Sequence, residues 1–230
     1  MVTAILLAAG RSTRMGGRPN KQFIELLGKP LLWYSLAAFQ SCAAVDNVVL
    51  VRRPEYAGQA EQLARQFKKV TGFADGGVER QDSVWNGLEK VTGDIVAVHD
   101  GARPLVTPEL ITATIECARQ HGTGIAATKI VDTIKEAAAD RTVMRTVDRT
   151  KLWAVQTPQT VRTDLLRQAY ARVREQGIIV TDEAAAVELL GQPVHLIETP
   201  FLNLKVTTPA DLPAAEALLR DCGLGNLRTS

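Results

Sequence analysis

The first 21 residues bring together groups that could hold a polyphosphate. The apolar run Val2–Leu7 leads into the small residues Ala8–Gly10, and the cations Arg14 and Lys21 follow. Small residues after a strand let backbone N–H groups approach a ligand closely, and residues 1–24 contain no carboxylate. The segment therefore predicts a nucleoside triphosphate loop, in which amides hold base and phosphates while Arg14 and Lys21 neutralise charge.

The glycine spacing in this loop differs from the two common phosphate-binding fingerprints. Gly10, Gly16 and Gly17 do not form a Gly-x-Gly-x-x-Gly pattern, and no Gly-Lys-Ser/Thr sequence follows. A Rossmann dehydrogenase and a P-loop NTPase are therefore disfavoured. The alternative for these residues alone is a surface turn with solvated arginines.

A second glycine loop, Asp75–Gly77, stands shortly before a predicted helix that contains Ser83. At the edge of an α/β sheet such a loop could contact the base or ribose of a nucleotide. The alternative is an ordinary turn between a strand and a helix.

A carboxylate follows another apolar run. Asp100 stands just after Ile95–Val98 and next to Gly101. An acid at a strand end is placed to bind Mg²⁺ or a ligand hydroxyl. The alternative is a structural ion pair with an arginine. His99 is expected to be a packed residue rather than a catalyst.

Short apolar runs alternate with helical patterns along the chain. Four runs predict strands covered on both faces, at Val2–Leu7, Val48–Val51, Ile95–Val98 and Gly124–Ala127. Helices are predicted at 30–40, 54–67, 80–91, from Thr107, at 163–176, 182–190 and from Thr208 to about Asp221, and later strands at 194–198 and 204–206. This order predicts a mostly parallel sheet with helices on both faces and ligands at the carboxyl ends of the strands.

Residues 129–157 change the pattern. Polar, alternating stretches at 131–135 and 143–149 flank a turn-like insert at 137–141. They predict a two-stranded ribbon that projects as an arm, and because an isolated ribbon is marginal in water we expect it to pack on another surface, such as a second subunit. No linker or repeat is evident in residues 1–230, so we expect one domain with an arm at about 129–157.

The composition excludes several classes. A net charge of +2 over 230 residues lacks the basic stripe of a nucleic-acid-binding protein. No run approaches the ~18 apolar residues of a membrane span, and the N-terminal run lacks the features of a signal peptide. The widely spaced Cys42, Cys117 and Cys222 predict reduced thiols in a cytoplasmic protein.

Eight segments, taken in order, resemble the family of 2-C-methyl-D-erythritol 4-phosphate cytidylyltransferases. They are LLAAGRSTRMG, PNKQF, DGG–ER–DSV, VHDGARP, VDTIK, TVDRTKLWAVQTPQ, TDEAAAVE and NLKVTTPADL. The resemblance covers about residues 2–220. It implies a Rossmann-like α/β fold of the nucleotide-diphospho-sugar transferase type, and a homodimer with an interlocking arm.

The resemblance also implies roles for individual residues. Arg14 and Lys21 would stabilise the transition state, and Arg149 and Lys205 would position the substrate phosphate, with Arg149 supplied by the arm of a second subunit. The cytidine side would be Ala8, Ala9, Gly10, Gly76, Gly77 and Ser83. The substrate side would be Asp100, which is also the metal ligand, with Gly101, Thr133, Thr157 and Thr181.

The implied reaction converts CTP and 2-C-methyl-D-erythritol 4-phosphate into CDP-methylerythritol and pyrophosphate, with Mg²⁺ or another divalent cation as cofactor. A ribitol 5-phosphate cytidylyltransferase is the first alternative, and the segments VDRTKLW and TDEAAAVE favour the methylerythritol enzyme over it. A transferase that uses another nucleotide, such as UTP, is the second. A nucleotide-binding protein without catalysis is the third, and the retained Arg14, Lys21 and Asp100 argue against it.

Three positions depart from the family pattern. Val78 stands where many members have Asp, so a contact to the nucleotide is expected to be missing. Gly101 stands where Ala is frequent and Val131 where Arg is frequent, and both changes are expected to be tolerated.

Overall fold

A seven-stranded sheet forms the centre of the computed structural model, which describes residues 1–10, 20–199 and 203–222. Across all sheets, the strands are β1 (Val2–Leu7), β2 (Glu25–Leu26), β3 (Lys29–Pro30), β4 (Asn47–Arg52), β5 (Val70–Asp75), β6 (Ile95–Asp100), β7 (Thr123–Lys129), β8 (Ile134–Ala137), β9 (Val143–Val147), β10 (Trp153–Arg162) and β11 (Leu196–Glu198). The helices are α1 (Leu31–Ser41), α2 (Ala57–Ala64), α3 (Arg80–Leu88), α4 (Pro108–His121), α5 (Thr163–Gln176), α6 (Glu183–Glu188) and α7 (Asp211–Asp221), with short 3-10 helices at Lys21–Phe23 and Pro54–Tyr56.

The central sheet is mostly parallel, as the sequence predicts. Its strand order is β11-β7-β10-β6-β1-β4-β5. Strand β1 pairs in parallel with β4 and β6, and the outer pairs β4–β5 and β7–β11 are also parallel. The exception is β10, which runs antiparallel between β6 and β7.

Helices cover both faces of the sheet. Successive side chains of β1 point to opposite sides, and since both sets are apolar, each side needs a cover. Ala4 and Leu6 join one apolar cluster, which includes buried residues of α1, α2, α4 and α7. Ile5 and Leu7 join the other, which includes buried residues of α3, α5 and α6. The prediction of a doubly covered sheet is confirmed.

The four predicted buried strands are confirmed as β1, β4, β6 and β7, but two strands of the sheet were not predicted. Strand β5 lies at one edge of the sheet, with three half-buried and two exposed residues and with Gly72 in its middle, so it lacks the apolar run that marks a central strand. Strand β10 contains Pro158 and several polar residues, which is a pattern that argues against a central strand. Its register shifts between Val155 and Gln159, around the cis peptide bond before Pro158.

The strand predicted at 204–206 is wrong, since residues 203–207 form neither helix nor strand. This segment is fixed instead by long-range hydrogen bonds. Val206 N donates to Ala102 O at 2.8 Å. Asn203 accepts from Arg103 at 2.6 Å and donates to Thr157 O at 2.7 Å. An apolar–polar alternation of three residues therefore reflects packing onto the sheet edge rather than strand pairing.

The ribbon is present as a separate two-stranded antiparallel sheet, β8 with β9. Its residues are mostly exposed, including Val143 and Met144. It is shorter than predicted, because Lys129 belongs to β7 and residues 153–157 belong to β10 of the central sheet. Among the described helices, none has the length and apolar character needed to cross a membrane.

Candidate active site

A cavity of about 260 Å³ opens at the carboxyl edge of the central sheet. Its wall combines the ends of β1 and β6, the start of α3 and the 203–207 segment. The lining residues are Leu7, Ala9, Gly10, Lys21, Gln22, Gly77, Val78, Glu79, Arg80, Ser83, Asp100, Ala102, Lys205 and Thr207. The structure thus brings together seven of the predicted site residues, from four distant parts of the chain: Ala9, Gly10, Lys21, Gly77, Ser83, Asp100 and Lys205.

The two glycine loops pack directly against each other. A Cβ atom added to Gly76 would lie 2.2 Å from Ala9 Cβ, so only glycine allows this approach. The same holds at Gly77, where an added Cβ would lie 2.2 Å from Asp82 Cβ. Ser83 fixes the second loop, since its Oγ accepts from Gly77 N at 3.0 Å.

Two predicted nucleotide contacts lie slightly behind the cavity. The Ala8 amide donates to Val51 O at 2.7 Å and the residue is buried, so its N–H serves the sheet. The Gly76 amide donates to Arg52 O at 2.8 Å. Gly76 lines a neighbouring hollow together with Ala9 and Gly77. Each residue adjoins a lining residue, Ala9 or Gly77, and both amides are already paired.

Asp100 is the centre of a charge cluster at the floor of the cavity. Lys205 Nζ lies 2.6 Å from Asp100 Oδ2, Arg80 Nε lies 3.4 Å from Oδ1, and Arg103 Nε lies 4.0 Å from Oδ2. Burial disfavours the charged form, but Arg80 and Lys205 outweigh it and hold the pKa of the Asp100 carboxyl well below its usual range. Asp100 is therefore an anion, and the structural ion pair considered from the sequence is present together with a lysine.

The cavity lining contains two carboxylates, Asp100 and Glu79, and the Glu79 side chain already caps α3. No group of three or more His, Cys, Asp or Glu side chains suited to a metal occurs among the described residues. Mg²⁺ is commonly held by one or two carboxylates together with substrate phosphates and water. Asp100 is the carboxylate of this lining that could serve as one such ligand.

Lys21 enters the cavity from the short 3-10 helix Lys21–Phe23. The side chain of Asn20 caps this turn by accepting from Gln22 N at 3.2 Å. Lys21 is buried, and its Nζ donates to Val206 O at 2.8 Å. The ammonium group is thereby held beside Val206, the residue that follows Lys205.

His99 is a packed residue, as predicted. It is fully buried and packs its ring against Phe39. Its Nδ1 lies 3.0 Å from Thr157 Oγ1, and Nε2 lies 3.4 Å from Arg103 O. Since the carbonyl only accepts, Nε2 carries the proton, and Thr157 donates to Nδ1. Burial lowers the pKa of His99 to about 3, so the ring is neutral at pH 7.

Thr157 supports the site from behind. Its Oγ1 accepts from Asp100 N at 3.1 Å, and the residue is buried outside the cavity lining. Gly101 is also outside the lining. A Cβ there would lie 2.7 Å from Leu32 Cδ1 and 3.2 Å from Leu7 O, so the glycine lets the chain pass close to buried neighbours.

Three predicted residues lie away from the cavity lining. Thr133 and Arg149 are exposed and flank the ribbon, where Arg149 donates to Val131 O. Thr181 is exposed and precedes Asp182, which caps α6 by accepting from Ala185 N at 2.9 Å. Arg14 lies outside the described residues. Their predicted roles stay predictions.

Arg80 and Gln22 line the cavity but were not predicted as site residues. Arg80 belongs to the segment DGG–ER–DSV, and its position in the first turn of α3 could have indicated that it faces the site. Gln22 follows Lys21 directly, is buried, and within the described residues its Oε1 has no hydrogen-bond partner. Most buried acceptors in proteins have a hydrogen-bond partner, so this oxygen is an exception.

The carboxyl edge of the doubly covered sheet holds glycine turns, two lysines and a carboxylate that is surrounded by cations. This arrangement defines a nucleotidyltransferase-type α/β protein. Residues 2–221 match the family model of 2-C-methyl-D-erythritol 4-phosphate cytidylyltransferase, and the chain belongs to this family.

Relatives of this chain match it over nearly their whole length. The 2-C-methyl-D-erythritol 4-phosphate cytidylyltransferase of Geobacillus thermodenitrificans is 46% identical over 219 residues, which are 94% of this chain and 96% of that protein. The crystal structure of the enzyme of the same name from Thermus thermophilus has 34% identity and a TM-score of 0.79, and the match covers 94% of this chain and 98% of that one. A 4-diphosphocytidyl-2C-methyl-D-erythritol synthase from Anaerococcus prevotii has 27% identity and a TM-score of 0.84, over 95% and 98% of the two chains.

Proposed function

We propose that this protein transfers a cytidylyl group from CTP to 2-C-methyl-D-erythritol 4-phosphate and releases pyrophosphate, a step of the non-mevalonate isoprenoid pathway. Family membership over residues 2–221 supports the reaction. The observation that connects it with this chain is the cavity in which the glycine turns meet Lys21 and the Asp100–Lys205 pair. A nucleotide and an anionic acceptor can both reach this place.

The attacking group needs no base from the protein. The second pKa of a phosphate monoester is ~6, so the acceptor phosphate is largely an anion at pH 7. One of its oxygens attacks the α-phosphorus of CTP in line, the bond to the bridging oxygen breaks, and pyrophosphate leaves. His99, the histidine beside Asp100, is neutral and enclosed, in agreement with a reaction without a general base.

The protein lowers the barrier by placing positive charge around the reacting phosphates. Lys21 and Lys205 reach the cavity from opposite ends of the sequence, and Arg14 is proposed to join them from the first loop. Lys205 is proposed to hold the acceptor phosphate while Lys21 stabilises charge that develops as pyrophosphate leaves. When Mg²⁺ is bound, Asp100 would contribute a ligand and the ion would neutralise phosphate charge.

We further propose that residues 1–230 form one transferase domain that works as a homodimer through its ribbon. One continuous sheet takes strands from Val2 to Glu198, which supports a single domain. The exposed apolar residues Val131, Val143 and Met144 support a partner surface at the ribbon. Thr133 and Arg149 would then complete the acceptor site of the second subunit. Three free cysteines suit a reducing, cytoplasmic setting.

Pyrophosphate release tests the reaction. The wild-type protein is incubated with CTP, Mg²⁺ and either methylerythritol phosphate or ribitol 5-phosphate, and then with UTP in place of CTP. We expect turnover with CTP and methylerythritol phosphate at least ten times faster than with the other pairs. Faster turnover with ribitol 5-phosphate would support the ribitol enzyme instead, and CTP binding without pyrophosphate release would refute catalysis.

A further inference from the structure

Glu183 is a completely buried carboxylate that the proposed reaction does not use. It is the first residue of α6 and lies outside the cavity. A buried charge is costly unless it is paired and hydrogen-bonded. Both carboxylate oxygens of Glu183 accept hydrogen bonds from one arginine, so the charge is paired.

That partner is Arg80, which does line the cavity. Arg80 Nη1 donates to Glu183 Oε1 at 2.7 Å and Nη2 donates to Oε2 at 3.0 Å, so the two groups form a bidentate pair. Tyr170 adds a third contact by donating to Glu183 Oε1 at 3.1 Å. This pair fixes the direction in which the guanidinium group faces.

Because Glu183 takes both terminal nitrogens of Arg80, only the Nε–H of Arg80 is left to face Asp100. Arg80 Nε reaches Asp100 Oδ1 at 3.4 Å, which is a long contact, whereas Lys205 Nζ reaches Oδ2 at 2.6 Å. Bidentate Arg–carboxylate pairing is stronger than a single contact. If Arg80 turned both terminal nitrogens to Asp100, it would compete with Lys205 for the same carboxylate.

We propose that Glu183 is a positioning residue: by occupying both terminal nitrogens of Arg80 it reserves Asp100 for Lys205 and so sets the place of the Lys205 ammonium in the cavity. This inference rests on the proposed function, in which Lys205 meets the acceptor phosphate. It explains why a charged group is retained in a buried layer where an apolar residue would pack.

The test is a double-mutant cycle between Glu183 and Arg80. In Glu183→Gln we expect KM for the acceptor phosphate to rise about tenfold while KM for CTP changes less than about twofold. In an Arg80→Gln background, Glu183→Gln should add almost nothing, because its effect runs through Arg80. Equal effects in both backgrounds, or a change confined to CTP, would overturn the proposal.

Two further variants separate positioning from folding. Val187→Ala removes buried volume from the same helix, in the apolar cluster and outside the ion pairs, so it should lower Tm and leave the acceptor KM unchanged. Glu183→Asp keeps the charge with a shorter reach, and its acceptor KM should lie between wild type and Glu183→Gln. If Glu183→Gln does not fold, Glu183→Asp completes the cycle with Arg80→Gln, and an unchanged acceptor KM in Glu183→Asp would overturn the proposal.

An NMR readout keeps this test separate from the proposed reaction. The side-chain ¹⁵N signals of Arg80 Nε and Lys205 Nζ are assigned by their loss in Arg80→Gln and Lys205→Met. We expect both signals to shift in Glu183→Gln and neither to shift in Val187→Ala. A wild-type protein without turnover would refute the proposed reaction alone, whereas an unmoved Lys205 signal in Glu183→Gln would refute the positioning role.

Discussion

Lys205 Nζ lies 2.6 Å from Asp100 Oδ2, so a residue from an irregular late segment is held by the carboxylate at the end of a central strand. Lys205→Ala should leave the fold intact, because Asp100 keeps Arg80 and Arg103 as partners. We expect kcat/KM for the acceptor phosphate to fall roughly 10- to 100-fold, the scale of one lost charged hydrogen bond. Initial rates with both substrates varied measure this, and a defect seen only with CTP would contradict it.

Lys21 is expected to act on the transition state. Lys21→Ala should lower kcat by roughly 10²–10³, the scale for one electrostatic donor, and Arg14→Ala is expected to do the same. Lys69→Ala is the matched control, because Lys69 Nζ also donates to a backbone carbonyl, Cys42 O at 2.6 Å, but away from the cavity. Single-turnover rates should separate Lys21 from Lys69, and an unchanged kcat in Lys21→Ala would refute its role.

Gly76 is expected to be irreplaceable for steric reasons. An alanine there would place its Cβ 2.2 Å from Ala9 Cβ and push the two glycine loops apart. Gly76→Ala should lose about 1–3 kcal/mol of unfolding free energy and raise KM for CTP. Gly58→Ala in α2 is the control, since an added Cβ meets nothing within 4 Å there, and it should gain up to about 1 kcal/mol. Urea unfolding measures the stability of both variants, and initial rates at varied CTP measure KM. Equal changes in stability in the two variants would contradict the prediction.

His99 should make the fold sensitive to mild acid. Burial lowers its pKa from an ordinary 6.5 to about 3, so the unfolded chain takes up the proton first as pH falls. The stability it confers is therefore complete above about pH 6.5 and declines towards pH 3, by about 2 kcal/mol between pH 7 and pH 5. His99→Asn should remove this part of the pH dependence, whereas exposed His121→Asn should retain it. Urea unfolding at pH 7 and pH 5 measures this. An equal loss of unfolding free energy between the two pH values in wild type and in His99→Asn would refute the assignment.

The sequence predicted the parts of the fold that have a strong apolar signal. Strands β1, β4, β6 and β7 are buried on both faces, so short apolar runs in the sequence revealed them. Strand β10 was missed, because its place between β6 and β7 is fixed by tertiary pairing despite Pro158. The stretch at 204–206 was wrongly predicted as a strand because its local pattern looks like one. Its main-chain contact is instead made with a residue about a hundred positions away, outside any strand pairing.

The sequence predicted several residues of the candidate site but not the contacts between their side chains. The motifs indicated Lys21, Asp100 and Lys205, and the cavity brings these three together. The part that Arg80 and Glu183 play could not be predicted, because a bidentate pair between residues 103 positions apart leaves no local pattern. Gln22 was missed because its significance depends on burial without a partner, which is a property of the folded chain.

Val206 joins three distant parts of the chain: its carbonyl accepts from Lys21 Nζ at 2.8 Å, and its N–H donates to Ala102 O at 2.8 Å. A ribosome adds roughly 5–20 residues per second, in chain order. A growing chain therefore has β1, the glycine turns and β6 well before it has Val206 and Lys205. The protein emerges as a scaffold with glycine turns at the sheet edge, and it becomes a transferase only after the 203–207 segment has been synthesised and has joined them.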